Sequence, residues 1–187
     1  MSSMSSLNGH LLIASPRMPD SFFSKTVVLL LAHSDEGAAG LIINRPTEAT
    51  VSDLSRSIFK GSFAWDKPIS LGGPVSGPLV VLHADEDVAD HEVVDGVFST
   101  VEDDKVRSAL ERRAEPSVVA INYSGWGPGQ LEQELDSDSW EVLPATADLV
   151  FPEPHVDVWR EALQRANSLK LQALVNLRGV PENPSWN

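Results

Sequence analysis

The sequence predicts a single α/β domain, and three observations carry that expectation. The chain has 187 residues and an apolar fraction of 42%, enough to bury one core without covalent staples. Short β-branched, apolar runs alternate with stretches whose apolar residues recur at helical spacing, which is how strands interleaved with helices appear in a sequence. No low-complexity linker divides the chain, so residues 1–187 are expected to form one domain, with residues 1–8 disordered ahead of the first strand.

Leu7 to Ala14 reads as that strand, ended by Ser15-Pro16, and Arg17 to Ser24 as a polar loop carrying Asp20, Phe22 and Phe23. Thr26 to Ala32 (TVVLLLA) is apolar throughout, which predicts burial on both faces. Ser34 to Gly37 turns the chain into Gly40 to Asn44, forming a hairpin that ends at Arg45-Pro46. From Thr50 the period changes: Val51, Leu54 and Ile58 share one helical face, with Ser52 the expected cap and Gly61 the expected stop. Lys67 to Leu71 returns to strand and enters Gly72-Gly73-Pro74, and Leu79 to His83 gives another buried strand.

After an acidic loop, Val93 to Ser99 reads as a strand. Thr100 then opens a helix whose face is Val101, Val106, Ala109 and Leu110, with Thr100 and Asp103 approximating a capping box. Ser117 to Tyr123 (SVVAINY) is the central strand. Gly125, Gly127 and Gly129 are expected to stop it, with Gly127 as N-cap and Pro128 as the first residue of a helix to Leu135. Trp140 to Leu143 is the last strand. Val156, Trp159, Leu163 and Ala166 mark the inward stripe of the longest helix, and Trp186 closes an irregular tail.

Composition removes several function classes. Without cysteine there is no disulfide, thiol nucleophile or Cys-ligated metal. The net charge is −13, and Pro68 to Asp104 holds nine acidic residues and no lysine or arginine, which disfavours a nucleic-acid partner. The N-terminal residues lack a signal-peptide pattern and no run is long enough to span a bilayer, so a cytoplasmic protein without membrane contact is expected. The five histidines form no metal-binding spacing, His83 with Asp85 being the best pair available, and neither a P-loop nor a Gly-x-Ser-x-Gly elbow occurs. No metal and no cofactor is expected. The run Gly125-Trp126-Gly127-Pro128-Gly129 imitates a pyrophosphate-binding turn, but Pro128 removes a donor and Glu132 would repel phosphate.

Taken together and in order, several segments resemble the YqgE/AlgH family. They are Leu11 to Pro16 with Asp20 and Phe23, Thr26 to Leu31, Gly37 to Pro46, Gly72-Gly73-Pro74-Val75, Leu82-His83, Ser124 to Leu135 with Trp140, and the Pro-Glu-Asn-Pro-Ser ending. The resemblance implies a mixed β-sheet curled into a partly closed barrel with flanking helices. It implies no reaction, and the label of transcriptional regulator that family members carry need not mean DNA contact.

The turns at Asn44-Arg45, Gly72-Gly73 and Gly125 to Glu132 are expected to converge into a ligand site. Its candidates are Asn44, Arg45, Gly72, Gly73, Gly125, Trp126, Gly127, Gln130 and Glu132, with Arg45 as the anion contact. Trp126 is read first as a plug that fixes the turn and second as a stacking platform, and Gln130 as a cap on the Gly127 N–H. The function so read is a regulatory module, monomeric or weakly self-associating, that binds a small molecule or a protein. The alternatives are an enzyme using Glu132 or Asp20 as acid or base, and a transcriptional regulator.

Overall fold

A computed structural model describes residues 6–19, 21–59 and 63–177. The chain opens as a meander of β1 (His10–Ala14), β2 (Val27–Ser34) and β3 (Gly37–Ile42), with Leu12 opposite Val28 and Leu29 opposite Leu41. There follow β4 (Pro46–Thr50), α1 (Val51–Ile58), β5 (Pro68–Leu71), β6 (Val75–His83), the hairpin β7 (His91–Val94) and β8 (Val97–Thr100), and α2 (Asp103–Arg112). The remainder is β9 (Ser117–Trp126), α3 (Gln130–Asp136), β10 (Trp140–Pro144), α4 (Ala147–Val150) and α5 (Val158–Leu177).

Among the described residues ten strands make one mixed sheet in the order β10-β1-β2-β3-β9-β6-β8-β7, with β4 and β5 off this path, and only β5 and β9 pair parallel. The sheet curls until its ends meet, as the family resemblance implied. At the seam β7 crosses Gly9, where a Cβ would lie 2.7 Å from Val94 Cγ1 and 2.9 Å from the Val93 carbonyl oxygen.

Both faces of the first strands are covered, which is why they read as unbroken apolar runs. Leu11, Ile13, Val27 and Leu29 point into the curl, filled by α4 and α5 through Leu149, Val150, Ala162 and Ala166. Leu12, Ala14, Val28 and Leu30 point outward beneath α3, Trp126 and Trp140. On the other half of the sheet, Val81 and Val119 face α1 and α2 through Val51, Val106 and Leu110.

The strand β9 holds the two halves together. Its first part lies between β5 and β6, pairing Val119 with both Ile69 and Val81. Its last part changes partner to β3, pairing Ser124 with Gly40 and Trp126 with Ala38. The exchange occurs at Asn122, held at φ 63°, and needs β5 to leave through glycine. A Cβ on Gly73 would sit 2.1 Å from the Tyr123 carbonyl carbon and oxygen. Ser124 donates its hydroxyl to the Gly72 carbonyl (3.0 Å), which also accepts the Ile42 N–H (2.8 Å).

Several elements depart from the expectation. β9 continues through Gly125 to Trp126 because β3 supplies a partner edge, and the N-cap of α3 is Gly129 at φ 72°, two residues beyond Gly127. Helix α1 is capped by Thr50 in a capping box with Asp53, and its inward face is Val51, Ser52 and Ser55 while Ile58 stays exposed. Those serines accept the returning loop's N–H groups, Ser52 from Trp65 and Ser55 from Phe63.

Val93 to Ser99 is a hairpin turned at Gly96, not one strand. Thr100 ends β8 with its hydroxyl on His83 and Val88, so α2 begins later and Val101 is exposed. β4, a short polar strand, escaped prediction. The inward face of α5 is Val158, Ala162 and Ala166, with the expected Trp159 and Leu163 half-buried against the same core and Val156 exposed ahead of the helix. Of residues 1–8, the described Ser6 and Leu7 are tied to His33, by hydroxyl to its carbonyl and by N–H to its ring. Residues 1–5, Asp20, Gly61 and Trp186 lie outside the described residues.

One acidic residue anchors the β7–β8 hairpin. Asp90, its side chain 7% exposed, accepts the N–H groups of Val101 (2.7 Å) and Glu102 (2.9 Å) and meets the Lys105 ammonium at 2.8 Å. Burial pushes its carboxyl upward, but Lys105 and the two N–H groups outweigh that and hold it at about 2.

Two stability predictions follow from these contacts. Gly73→Ala meets backbone and should cost about 3 kcal/mol or more, whereas Gly96→Ala, with open space but φ 73°, should cost about 1 kcal/mol, both read by urea unfolding. The Asp90 pKa is depressed in the fold, so its contribution is complete above its unfolded value of 3.8 and is lost as pH falls through about 2. Asp90→Asn should therefore unfold about 2 kcal/mol more easily at neutral pH, and the gap to the wild type should close between pH 4 and pH 2 as estimated by linkage.

Candidate functional site

The outer end of β9 carries Gly125 and Trp126, and the helix that follows it claims Trp126, Gly127, Gln130 and Glu132. α3 follows β9 after the turn Gly127-Pro128-Gly129, so its first two turns lie over Trp126. Gln130 accepts the Gly127 N–H at 3.1 Å through Oε1, the expected cap, and donates through Nε2 to Glu134 Oε1 at 3.1 Å.

The other Glu134 oxygen accepts two indoles, Trp126 Nε1 at 2.8 Å and Trp140 Nε1 at 2.7 Å. Trp126 is 6% exposed, packs edge-on to Trp140 at 6.0 Å, and lies under Phe23 at 6.2 Å. Its ring is thus a buried plug whose N–H is held by a carboxylate in place of the expected carbonyl.

Glu132 is committed as well. Its Oε1 meets His33 Nε2 at 2.9 Å, and His33 Nδ1 accepts the Leu7 N–H at 3.0 Å. An N–H donor on Nδ1 requires that nitrogen to be bare, so the neutral ring carries its proton on Nε2 and donates to Glu132. That hydrogen bond, with one from Glu132's own backbone N–H, holds the carboxyl below its ordinary range.

The remaining candidates organise loops. Asn44 accepts the Val27 N–H and donates to the Lys25 carbonyl, both at 2.9 Å. Arg45 turns its guanidinium onto the Phe22 and Ser24 carbonyls and stacks on the Phe22 ring at 4.8 Å. Gly72 and Gly73 sit at the β9 partner exchange. His83 has both ring nitrogens engaged, by the Asp85 N–H and the Thr100 hydroxyl, and burial pushes it downward. Among the described residues no three His, Asp or Glu side chains are grouped to hold a metal ion.

What stays open is a groove of about 480 Å³ on the opposite face of the same corner, lined by Ser34, Gly37, Ala39, Val75, Tyr123 and Gly125 among others. Gly125 and Trp126 reach it, but Asn44, Arg45, Gly72, Gly73, Gln130 and Glu132 do not. Its wall is the Tyr123 ring, flanked by two glycines: a Cβ would lie 2.6 Å from the ring at Gly77 and 3.1 Å at Gly125. Sequence reasoning missed Glu134, Trp140, His33 and Tyr123. The Gln130-to-Glu134 spacing of one helical turn was a usable signal, whereas nothing local to His33 indicated Glu132.

The network can be tested directly. Glu134→Ala strands two indole N–H groups and should lower stability by about 2–4 kcal/mol. Trp126→Phe should lower the melting temperature without any ligand present, and an unchanged melting temperature would return the ring to the status of a platform.

With the geometry in place, the relatives can be set beside it. A family profile described as AlgH-like matches residues 11–169. A UPF0301 protein of Vibrio parahaemolyticus is 35% identical over 173 residues, covering 85% of this chain and 91% of its own. The solution structure of the AlgH protein from Pseudomonas aeruginosa superposes with a TM-score of 0.68 at 29% identity, over 98% of this chain and 99% of that one. The crystal structure of protein DIP2367 from Corynebacterium diphtheriae has a TM-score of 0.69 at 21% identity, over 88% and 90% of the two chains, a likeness of fold.

Proposed function

This chain belongs to the AlgH-like family, and we propose that it is a cytoplasmic regulatory binding module whose groove beside Gly125 takes a small, largely apolar molecule or a partner's side chain. One observation carries this reading. The polar side chains of the glycine corner have partners within the fold, Glu132 in His33 and Glu134 in two tryptophans and Gln130, while the groove behind them is lined mainly by small or apolar residues and the Tyr123 ring, with Ser34 and Glu36 beside them. A general acid needs a proton to give to substrate, and the hydrogen bond from His33 favours the ionised form of Glu132. The enzyme reading therefore has less support, its other candidate, Asp20, lying outside the described residues.

Regulation through contact with DNA is disfavoured by charge. Net charge is −13, and the described arginines and lysines are largely drawn into pairs with carboxylates, such as Lys67 with Glu115, Arg112 with Asp85 and Arg165 with Asp148. A regulatory effect would then pass through a ligand or a protein partner.

Ala39→Leu fills the groove from β3 without touching the tryptophan network. Native mass spectrometry of gently purified protein should show a bound mass that this variant loses, and an equal mass in both would place the ligand elsewhere. Fluorescence anisotropy with random-sequence duplex DNA should show no binding at about 0.15 M salt. Tight, salt-sensitive binding there would sink the reading.

A further inference from the structure

The far end of α5 carries an apolar surface that neither the barrel nor the proposed groove uses. Up to Ala166 the helix fills the inside of the curl, but every described side chain from Asn167 to Asn176 is exposed. Leu169, Leu171, Leu174 and Val175 are 49%, 63%, 53% and 45% exposed. At 100° per residue Leu171, Leu174 and Val175 fall within one stripe about 100° wide, and Leu169 lies on the opposite side of the helix, where it lines a groove. Together they expose roughly 300–400 Å², the size at which an apolar patch on a monomer marks an interaction surface.

Two further features say what fits there. Beside this tip, α5, β10 and α4 border that groove of about 520 Å³, whose exposed lining is mostly apolar, with Leu143, Pro144, Leu149 and Leu169 beside the paired Glu161 and Arg165. An apolar tip next to an apolar groove on one element is self-complementary, as a two-fold interface requires. The charge distribution agrees. In a chain of net charge −13, α5 has no acidic residue from Ala162 to Leu177 and no charge of either sign from Leu171 to Leu177. Its two cations there are neutralised, Arg165 by Asp148 and Glu161, and Lys170 by Glu141. Two such acidic molecules repel over most of their surface, and least where these tips meet.

We propose that the C-terminal half of α5 is a self-association surface, through which two copies of this chain pair antiparallel, each tip entering the α5–β10–α4 groove of the other. Two tips alone cover roughly 600–800 Å², less than the ~1,200 Å² of a stable complex, and groove lining brings the total only to its lower end. The dimer is accordingly weak, with dissociation on the order of micromolar to tens of micromolar, and salt strengthens it by screening the repulsion between copies.

Sedimentation velocity of the full chain across the micromolar range, at low and moderate salt, tests this. The wild type should shift from monomer toward dimer with concentration, more readily at the higher salt. The Leu171→Glu, Leu174→Glu double variant should weaken association by about tenfold or more with an unchanged melting temperature, since both side chains are exposed in the monomer. Hydrogen exchange at residues 169–176 should slow as concentration rises. A wild type that stays monomeric, a double variant that associates as well as the wild type, or amides already protected in the monomer would each overturn the proposal. The last result would mean that the chain's own C-terminal residues cover the tip.

Discussion

The close approach of β5 to β9 at Gly72-Gly73 is the constraint on which the rest of the structure depends. A sheet this curved needs one strand to serve both halves, and β9 does so by exchanging β5 for β3 at Asn122. The exchange brings two backbones within a distance that no side chain tolerates, a Cβ on Gly73 falling 2.1 Å from Tyr123. The Gly72 carbonyl then serves two donors, Ile42 and Ser124, and so ties β3, β5 and β9 at one point. Once these strands are joined, both sides of the curl must be filled, by α4 and α5 within and by α1, α2 and α3 without.

The same strand decides what the glycine corner can do. Because β9 runs on to Trp126, the alternation of a strand separates the corner into two faces. Ser124 and Trp126 go to the buried face, where α3 closes a network of Gln130, Glu134 and Trp140. Tyr123 and Gly125 go to the other face and border a groove that Trp126 also reaches but Gln130 and Glu134 do not. A corner that looks like one ligand site is therefore a structural lock on one side and a recess on the other. The lock is made of charge-assisted hydrogen bonds to half-buried carboxylates, whose removal leaves donors unpaired.

Charge organises the surface in a comparable way. The net charge of −13 makes repulsion of like charge the average property of the surface. Within it Asp90 is an anchor, holding the β7–β8 hairpin to the start of α2 through Lys105 and two N–H groups. The end of α5, uncharged and apolar, is the place where that repulsion is least and where water gains most from being displaced.

The sequence by itself determined the strands buried on both faces, the β2–β3 hairpin, the helix beginning after Thr50, and the family. Each follows from local pattern: unbroken apolar runs, a tight polar turn, a change of period, and ordered short motifs. It also carried the Gln130 cap, which acts over three residues. Tertiary structure alone decided that Gly125 sits within a strand, since only the edge of β3 makes extension there favourable. It decided that Ser52 and Ser55 join Val51 on the inward face of α1, because a loop 13 residues on needs acceptors. It decided that His33 binds Glu132 across 99 residues, that Arg45 reaches the Phe22 and Ser24 carbonyls, and that one carboxylate holds two tryptophans. The physical reason is common to all of these: a polar side chain satisfies whichever partner the fold brings within about 3 Å, and a single sequence does not state which distant residue that will be.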